Sequence, residues 1–370
     1  MLTLTTNDQR WVGLNFSTPV QLIGRSAEFE HIVEVLAQDG DLLITGVPGS
    51  GRRTLVRNAA QEAGARVLEI DCIRATDGKR FVQLLAAEIN QNWHSVQLQN
   101  WIERNASEFL SFEPEGKLKP WPNLGENEIW RTFEILLDLL QIMAVALNQR
   151  VVVILHSFPH IRSWDRYGLW EVTLRRDIKA QTHVSYVLIA TIAETNYQDE
   201  NNYPLETLQL PPLDRDVLAL WAREVLHTQQ LKFDSRSTAL QLFLDAVQGH
   251  IGDAIALIRR LQTLCHAQEL ITPKEVEQAI TELLKDLSIT FESLLMLLPA
   301  NQVHLLESLA LDPTEKPQSK EYIQKHGLSR GGSLQGALTG LQHKGLIYGA
   351  EQGYQPALPL FALWLKRRLS

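Results

Sequence analysis

Apolar positions follow a strand-like spacing in five short runs before residue 210. These are DLLIT (41–45), ARVLEI (65–70), VVVIL (151–155), VSYVLIAT (184–191) and LETLQL (205–210). The third is almost purely β-branched, which suits a parallel strand buried on both faces. Segments with helical period lie between them, at 53–63, 79–93, 126–148 and 168–180. Strands alternating with helices predict βαβ crossovers and a parallel sheet covered on both sides. The stretch 94–125, with Trp101 and Trp121 and broken by Pro114, Pro120 and Pro122, reads as an insertion with a loop, outside the sheet. Strand signals end at Leu210, before Pro211-Pro212. From 214 to 286 the pattern is helical, with stops expected at QGHIGD (248–253) and at Pro273. Beyond it, helices are expected at 302–310, 318–326 and 333–344. GLIYGAEQGYQP (345–356) then reads as strand, glycine-marked turn and strand, which together predict a winged helix-turn-helix. The chain divides into an arm (1–20), an α/β domain (21–210), a helical unit (211–286) and a winged unit (287–370).

Composition narrows the class. With 370 residues, two or three domains are expected, and a net charge of −8 argues against a chain that coats nucleic acid over its whole surface. Cys72 and Cys265 are the only cysteines, too few for a zinc-cysteine cage or a disulfide framework. Asn7, Asp8 and Arg10 interrupt any secretory apolar run, and no stretch approaches the roughly 20 apolar residues of a membrane span. A soluble, cytoplasmic protein is the expectation.

The first strand runs into GVPGSGRRT (46–54) and then a helical segment. Gly46 and Gly51 have the spacing of a phosphate-binding loop. Glycines let the backbone curl so that N–H groups converge, and the following helix N-terminus adds its positive end. Two positions depart from the working pattern. Arg52 and Arg53 stand where Lys and then Ser or Thr are needed. Arg52 keeps a charge but as a bulky planar fork, and Arg53 removes the hydroxyl that ligates Mg²⁺. Thr54, one residue further round the helix, points about 100° away. VVVIL should end in an acidic pair, yet it ends in His156-Ser157, which offer no carboxylate for a hard cation or for a base.

In order, IGRSAEFEHI (23–32), GVPGSGRRTLVRNAA (46–60), VVVILHSFPHI (151–161), TLRRDIKAQ (173–181) and VSYVLIAT (184–191) resemble the P-loop ATPases of the AAA+/STAND type. The archaeal-type ATPase subfamily is the most similar. LPPLDRDVLALWAREVL (210–226) resembles that subfamily's lid, GHIGDAIALIRRL (249–261) its sensor 2 region, and 336–368 its winged C-terminus. The fold this resemblance implies is a parallel-sheet P-loop NTPase domain, AAA+-like, followed by a helical lid and a winged helix. It also implies ATP or ADP as ligand. Ile23, Gly24 and Arg25 would lie near the adenine, and Gly46, Val47, Pro48, Gly49, Ser50, Gly51, Arg52, Arg53 and Thr54 would hold phosphates. Thr191 falls at sensor 1, and Arg259 or Arg260 in the sensor 2 neighbourhood. The departures at 52, 53, 156 and 157 make Mg²⁺ weak or absent and point to lost hydrolysis.

Three functions remain open. The first is a regulatory or scaffolding protein that binds nucleotide and meets a protein partner or a second copy of itself. The second is an active ATPase, which would need Arg52 and Thr54 to substitute for the missing pair and acids such as Asp165 or Glu194 drawn in from elsewhere. The third is a winged-helix DNA-binding regulator. Against the third, residues 287–370 carry eight Lys/Arg and six Asp/Glu, a thin basic footprint for a DNA reader. Arg175 and Arg176 stand where related ATPases carry a finger reaching a neighbour, or they form a helix face paired with carboxylates. His156 is expected to be a hydrogen-bonded strand end, and the histidines show no metal-ligand spacing. The tryptophans between 90 and 170 either pack onto the sheet or form a partner surface.

Overall fold

The computed structural model describes residues 23–93, 96–113, 116–194, 205–266 and 270–369. The arm 1–20 lies outside the described residues. All five runs predicted as strands are strands: β1 (Leu42–Gly46), β2 (Arg66–Asp71), β5 (Val151–His156), β6 (Val184–Ala190) and β7 (Glu206–Leu210). They form one parallel sheet in the order β2-β5-β6-β1-β7. Alternate side chains feed two cores, as the pleat requires. Val152 and Ile154 join α1 (Ser26–Ala37) and α2 (Arg52–Glu62) on one face. Val151, Val153 and Leu155 join α3 (Gly78–Asn92), α5 (Glu126–Leu147) and α6 (Leu169–Ala180) on the other. β1 lies between β6 and β7, so the loop that follows it emerges between their ends. That crevice is where open α/β sheets place ligands.

The insertion is more regular than its prolines suggest. It contains α4 (Val96–Asn105) and an antiparallel pair, β3 (Leu110–Phe112) and β4 (Leu118–Pro120), apart from the main sheet. Asn90 of α3 clamps the hairpin, donating to the Leu118 carbonyl and accepting from its N–H, both at 2.7 Å. Pro120 is tolerated because it ends the outer strand of a two-stranded unit. The tryptophans gather with α3, α5 and α6: Trp170 lies 4.9 Å from Phe133, 5.2 Å from Trp130 and 5.5 Å from Trp164, centre to centre. That is packing; Trp121 stays half-exposed.

The lid comprises α7 (Arg215–His227), β8 (Lys232–Phe233), α8 (Ala239–Val247), α9 (Ile251–Leu264), β9 (Leu270–Ile271) and α10 (Pro273–Met296). Pro273 starts a helix instead of stopping one. It sits at the first position, where its missing N–H costs nothing, behind a Thr272–Glu275 capping box. α10 runs without a break through residue 287, and lid and winged unit share one hydrophobic core. The winged unit adds α11 (Ala300–Leu311), α12 (Lys320–His326), α13 (Gly332–His343) and α14 (Pro359–Leu369). Its expected two-stranded wing is reduced to bridges. Ile347 pairs with Pro356, whereas Tyr354 pairs with Thr314 instead, and a 3₁₀ turn (Ala350–Gln352) takes up the tip. The Ile347–Pro356 pair is flanked by bonds from the Tyr348 N–H to the Gln355 carbonyl at 2.9 Å and from the Ala357 N–H to the Leu346 carbonyl at 2.8 Å, and the ladder stops where Tyr354 turns to Thr314.

Candidate nucleotide site

The loop after β1 is built from left-handed glycines. Gly49 has φ +81 and Gly51 φ +86, so the chain reverses twice within three residues before α2 begins. Such alternation makes an anion cradle, and the first N–H groups of α2 have no intrahelical acceptor. A side chain at Gly46 would sit 2.9 Å from Ser50 Oγ and 3.3 Å from the Leu210 carbonyl.

Beside the loop lies a cavity of about 140 Å³ lined by Ile23, Arg25, Gly49, Ser50, Gly51, Thr54, Leu55, Leu213, Ile251, Gly252 and Ile255. Its walls are largely aliphatic. Two of the lining residues carry a buried polar atom, Ser50 Oγ and Arg25 Nε, with no hydrogen-bond partner among the described residues, which is costly unless a ligand supplies one. An apolar slot abutting an anion cradle fits a flat base joined to phosphates. The remaining Arg25 nitrogens are engaged by Glu28 at 2.7 Å and by the Pro211 carbonyl. Gly24 (φ +62) leaves room for Val217 of α7, whose methyl group a side chain there would strike.

The structure gathers Ile23, Arg25, Gly49, Ser50, Gly51 and Thr54 on one cavity. The other predicted residues are placed differently. Val47 faces a small cluster with Ile192, Tyr348 and Ala357. Pro48 contacts the lid and the winged unit. Arg52 turns back across the loop and donates to the Ala190 carbonyl at the end of β6; its burial lowers the guanidinium pKa to about 10. Arg53 points to the other side of α2. Thr191 donates to the His343 carbonyl at 3.1 Å. Arg259 is exposed, one turn beyond Ile255, which lines the cavity from α9 together with Ile251. Arg260 faces α10, pairing with Asp286 and with Glu282 at 3.6 Å.

Sequence reasoning missed two groups here. One is the lid's first turn. His250 is buried; its Nε2 donates to the Pro48 carbonyl at 2.6 Å and its Nδ1 lies 3.1 Å from both the N–H and the carboxylate of Asp253. The Gly252 N–H donates to the Gly49 carbonyl at 3.1 Å. Burial alone would lower the imidazole pKa, but Asp253 and the Pro48 carbonyl outweigh it and the net shift is upward. The spacing of His250 and Asp253 in GHIGD, three residues apart at a helix start, is a capping signal that could have revealed it.

The other is Glu69 on β2. Its carboxylate accepts from Arg53 at 2.8 Å, from Arg57, and stands 3.0 Å from His156 Nε2. Arg53 and His156, the two positions read from the sequence as departures from a metal-binding pattern, are both bonded to this one acid. Burial pushes the Glu69 carboxyl up, but Arg57, His156 and Arg53 outweigh it and hold it at about 2. A depressed folded pKa stabilises the protein above the unfolded value of 4.5 and loses that contribution as pH falls toward 2. Glu69→Gln should therefore cost about 2 kcal/mol at neutral pH, a half-buried network being worth less than a fully buried pair. In thermal melts the gap between wild type and variant should close as pH drops through that window.

The acids that hydrolysis would have to recruit are engaged. Asp165 accepts from the N–H groups of Leu169, Trp170 and Glu171 at the start of α6, at 2.9–3.1 Å. Glu194 pairs with Arg162 at 2.9 Å. Arg175 is buried and pairs with Glu171 at 3.2 Å, and Arg176 reaches Glu134 at 3.5 Å. Among the described residues no group of three or more His, Cys, Asp or Glu is arranged to hold a metal, and no helix is long and apolar enough to cross a membrane.

A Walker-type ATPase of Pyrococcus abyssi superposes on 93% of this chain and 96% of its own, with a TM-score of 0.64 and 15% identity. The fold is that of Orc/Cdc6-like AAA+ proteins. The Aeropyrum pernix ORC2 protein, solved with ADPNP and ADP, matches over 97% and 98% of the two chains (TM-score 0.53, 14% identity). The A. pernix ORC1 protein, solved in complex with DNA, matches over 98% of both (TM-score 0.51, 17% identity). Residues 289–367 match the family described as probable winged helix domain. No curated protein matches the sequence. The expected α/β P-loop domain with a C-terminal winged helix is thereby established, and at these identities the likeness speaks for the fold alone.

Proposed function

We propose that this chain is a degenerate AAA+/STAND-type ATPase that binds ATP or ADP and acts as a regulatory or scaffolding protein, with hydrolysis lost. The observation that carries this reading is the Glu69 network. Restoring a metal at the loop would require Arg53 and His156 to leave a carboxylate that both are bonded to. The cradle and the aliphatic slot beside it are intact, with Ser50 and Arg25 in want of partners, so the nucleotide is retained while its metal is not. Nucleotide bound between the α/β domain and the lid then sets domain orientation without turnover.

The partner in this reading is a protein or a second copy of the chain. The A. pernix ORC1 neighbour binds DNA, but the exposed positions of α13 here are Gly332, Ser333, Gln335, Gly336, Thr339 and His343, without a fixed cation. The end of α13 is docked against Thr191.

Calorimetric titration with ATP and ADP, each with and without Mg²⁺, tests the proposal. Binding whose affinity changes less than about threefold on adding Mg²⁺ is expected, with no phosphate release. Strongly Mg²⁺-dependent binding or turnover would overturn the degenerate reading, and no heat with either nucleotide would remove the ligand from it.

A further inference from the structure

The loop, the lid and the winged unit meet at one pair of side chains, the buried His250 and the part-buried Asp253. His250 Nε2 donates to the Pro48 carbonyl at 2.6 Å, and its ring is held by Asp253. The same Asp253 carboxylate reaches beyond the lid: its Oδ2 accepts the Leu360 N–H at 2.9 Å. Leu360 is the second residue of α14, so this N–H has no acceptor within its own helix. Asp253 lies in the first turn of α9 as well, so one carboxylate serves two helix N-termini, each of which favours a negative charge.

We propose that His250 and Asp253 form a latch that couples the conformation of the phosphate loop to docking of the winged unit. Bonds from His250 and Gly252 hold the Pro48 and Gly49 carbonyls toward the lid, which leaves the amides at the start of α2 for an anion. An ordered loop seats His250, a seated His250 orients Asp253, and Asp253 holds the first turn of α14. A second contact lies beside the same path. Pro48 lies under Gly345, where a side chain would come 2.9 Å from its ring, and Tyr348 packs on Val47. A nucleotide that orders the loop therefore tightens winged-unit docking, and by reciprocity docking tightens nucleotide binding by the same factor.

Hydrogen exchange of the full chain, measured by mass spectrometry on peptides covering 357–363, reads the latch without any ligand. The decisive variants are on the loop side. His250→Ala removes a ring whose described hydrogen bonds reach the loop and Asp253, and Gly49→Ala places a methyl group 2.6 Å from that ring. Each should speed exchange at 357–363 about tenfold or more, as Asp253→Ala should directly. Peptides within α8 should keep wild-type protection. His250→Gln, which can still donate to the Pro48 carbonyl, should restore most of the protection. Wild-type exchange at 357–363 in both loop-side variants would overturn the latch, and so would loosening of α8 to the same extent as α14.

The nucleotide arm rests on the proposed function and is read separately. ADP should slow exchange at 357–363 in wild type and leave Asp253→Ala unmoved. If calorimetry shows that ADP does not bind, the ligand reading fails while the variants still decide the latch. If ADP binds and exchange at 357–363 does not change, the coupling fails.

Discussion

Aspartate in place of Gly51 should abolish nucleotide binding while the protein stays folded. Gly51 has φ +86, and a side chain built there meets nothing closer than an Ile251 methyl carbon at 3.8 Å. There is space, so the cost to the fold is the left-handed backbone alone, about 1 kcal/mol for a residue that tolerates this region better than most. The cost to binding is electrostatic. A carboxylate within about 5 Å of a phosphate, at an effective dielectric near 20, opposes it by about 3 kcal/mol per unit charge, more than 100-fold in affinity. It would also take up the loop amides itself. Gly51→Asn has the same shape without the charge and should weaken binding by roughly tenfold or less. Calorimetry on the pair separates charge from strain. Equal affinities for the two variants would mean that phosphates do not sit in this loop.

The five strands and the phosphate loop were legible because their signals are local. An uninterrupted β-branched run such as Val151–Ile154 has few alternatives to a strand buried on both faces, and the glycine spacing between Gly46 and Gly51 specifies a curl directly. The regular structure inside 94–125 was not legible. Its hairpin is held by a tertiary clamp, the Asn90 amide, which no periodicity reports. The sensor 2 assignment was misled in a related way. An arginine was sought in GHIGDAIALIRRL and two were found, but helical geometry puts Ile255 at the cavity and turns Arg260 toward α10. That Arg53 and His156 depart from the expected residue types could be read from the sequence. That both bond to Glu69 could not, because Glu69 lies on a neighbouring strand.

Gly249→Ala should be the most damaging single methyl group in the lid. Gly249 has φ +80, and a Cβ there would lie 2.5 Å from the Leu213 carbonyl oxygen, 2.9 Å from Pro212 and 3.0 Å from the Leu213 nitrogen. Two of the three are backbone, at the start of the lid, where the Leu213 N–H donates to the Gly249 carbonyl at 2.9 Å. No flexible side chain can yield. Left-handed strain of about 1–2 kcal/mol and forced displacement of packed backbone of about 1–3 kcal/mol sum to roughly 2–5 kcal/mol. Gly64→Ala is the matched control: φ is +69 there and nothing lies within 4 Å, so only the strain remains. Thermal melts of the two variants should differ by the steric part. Because Leu213 and Ile251 line the nucleotide cavity on either side of this contact, Gly249→Ala should also weaken ADP binding under conditions where the α/β domain is still folded. Parity between the two variants, in stability and in affinity, would show that the lid is free to move away from Leu213 at little cost.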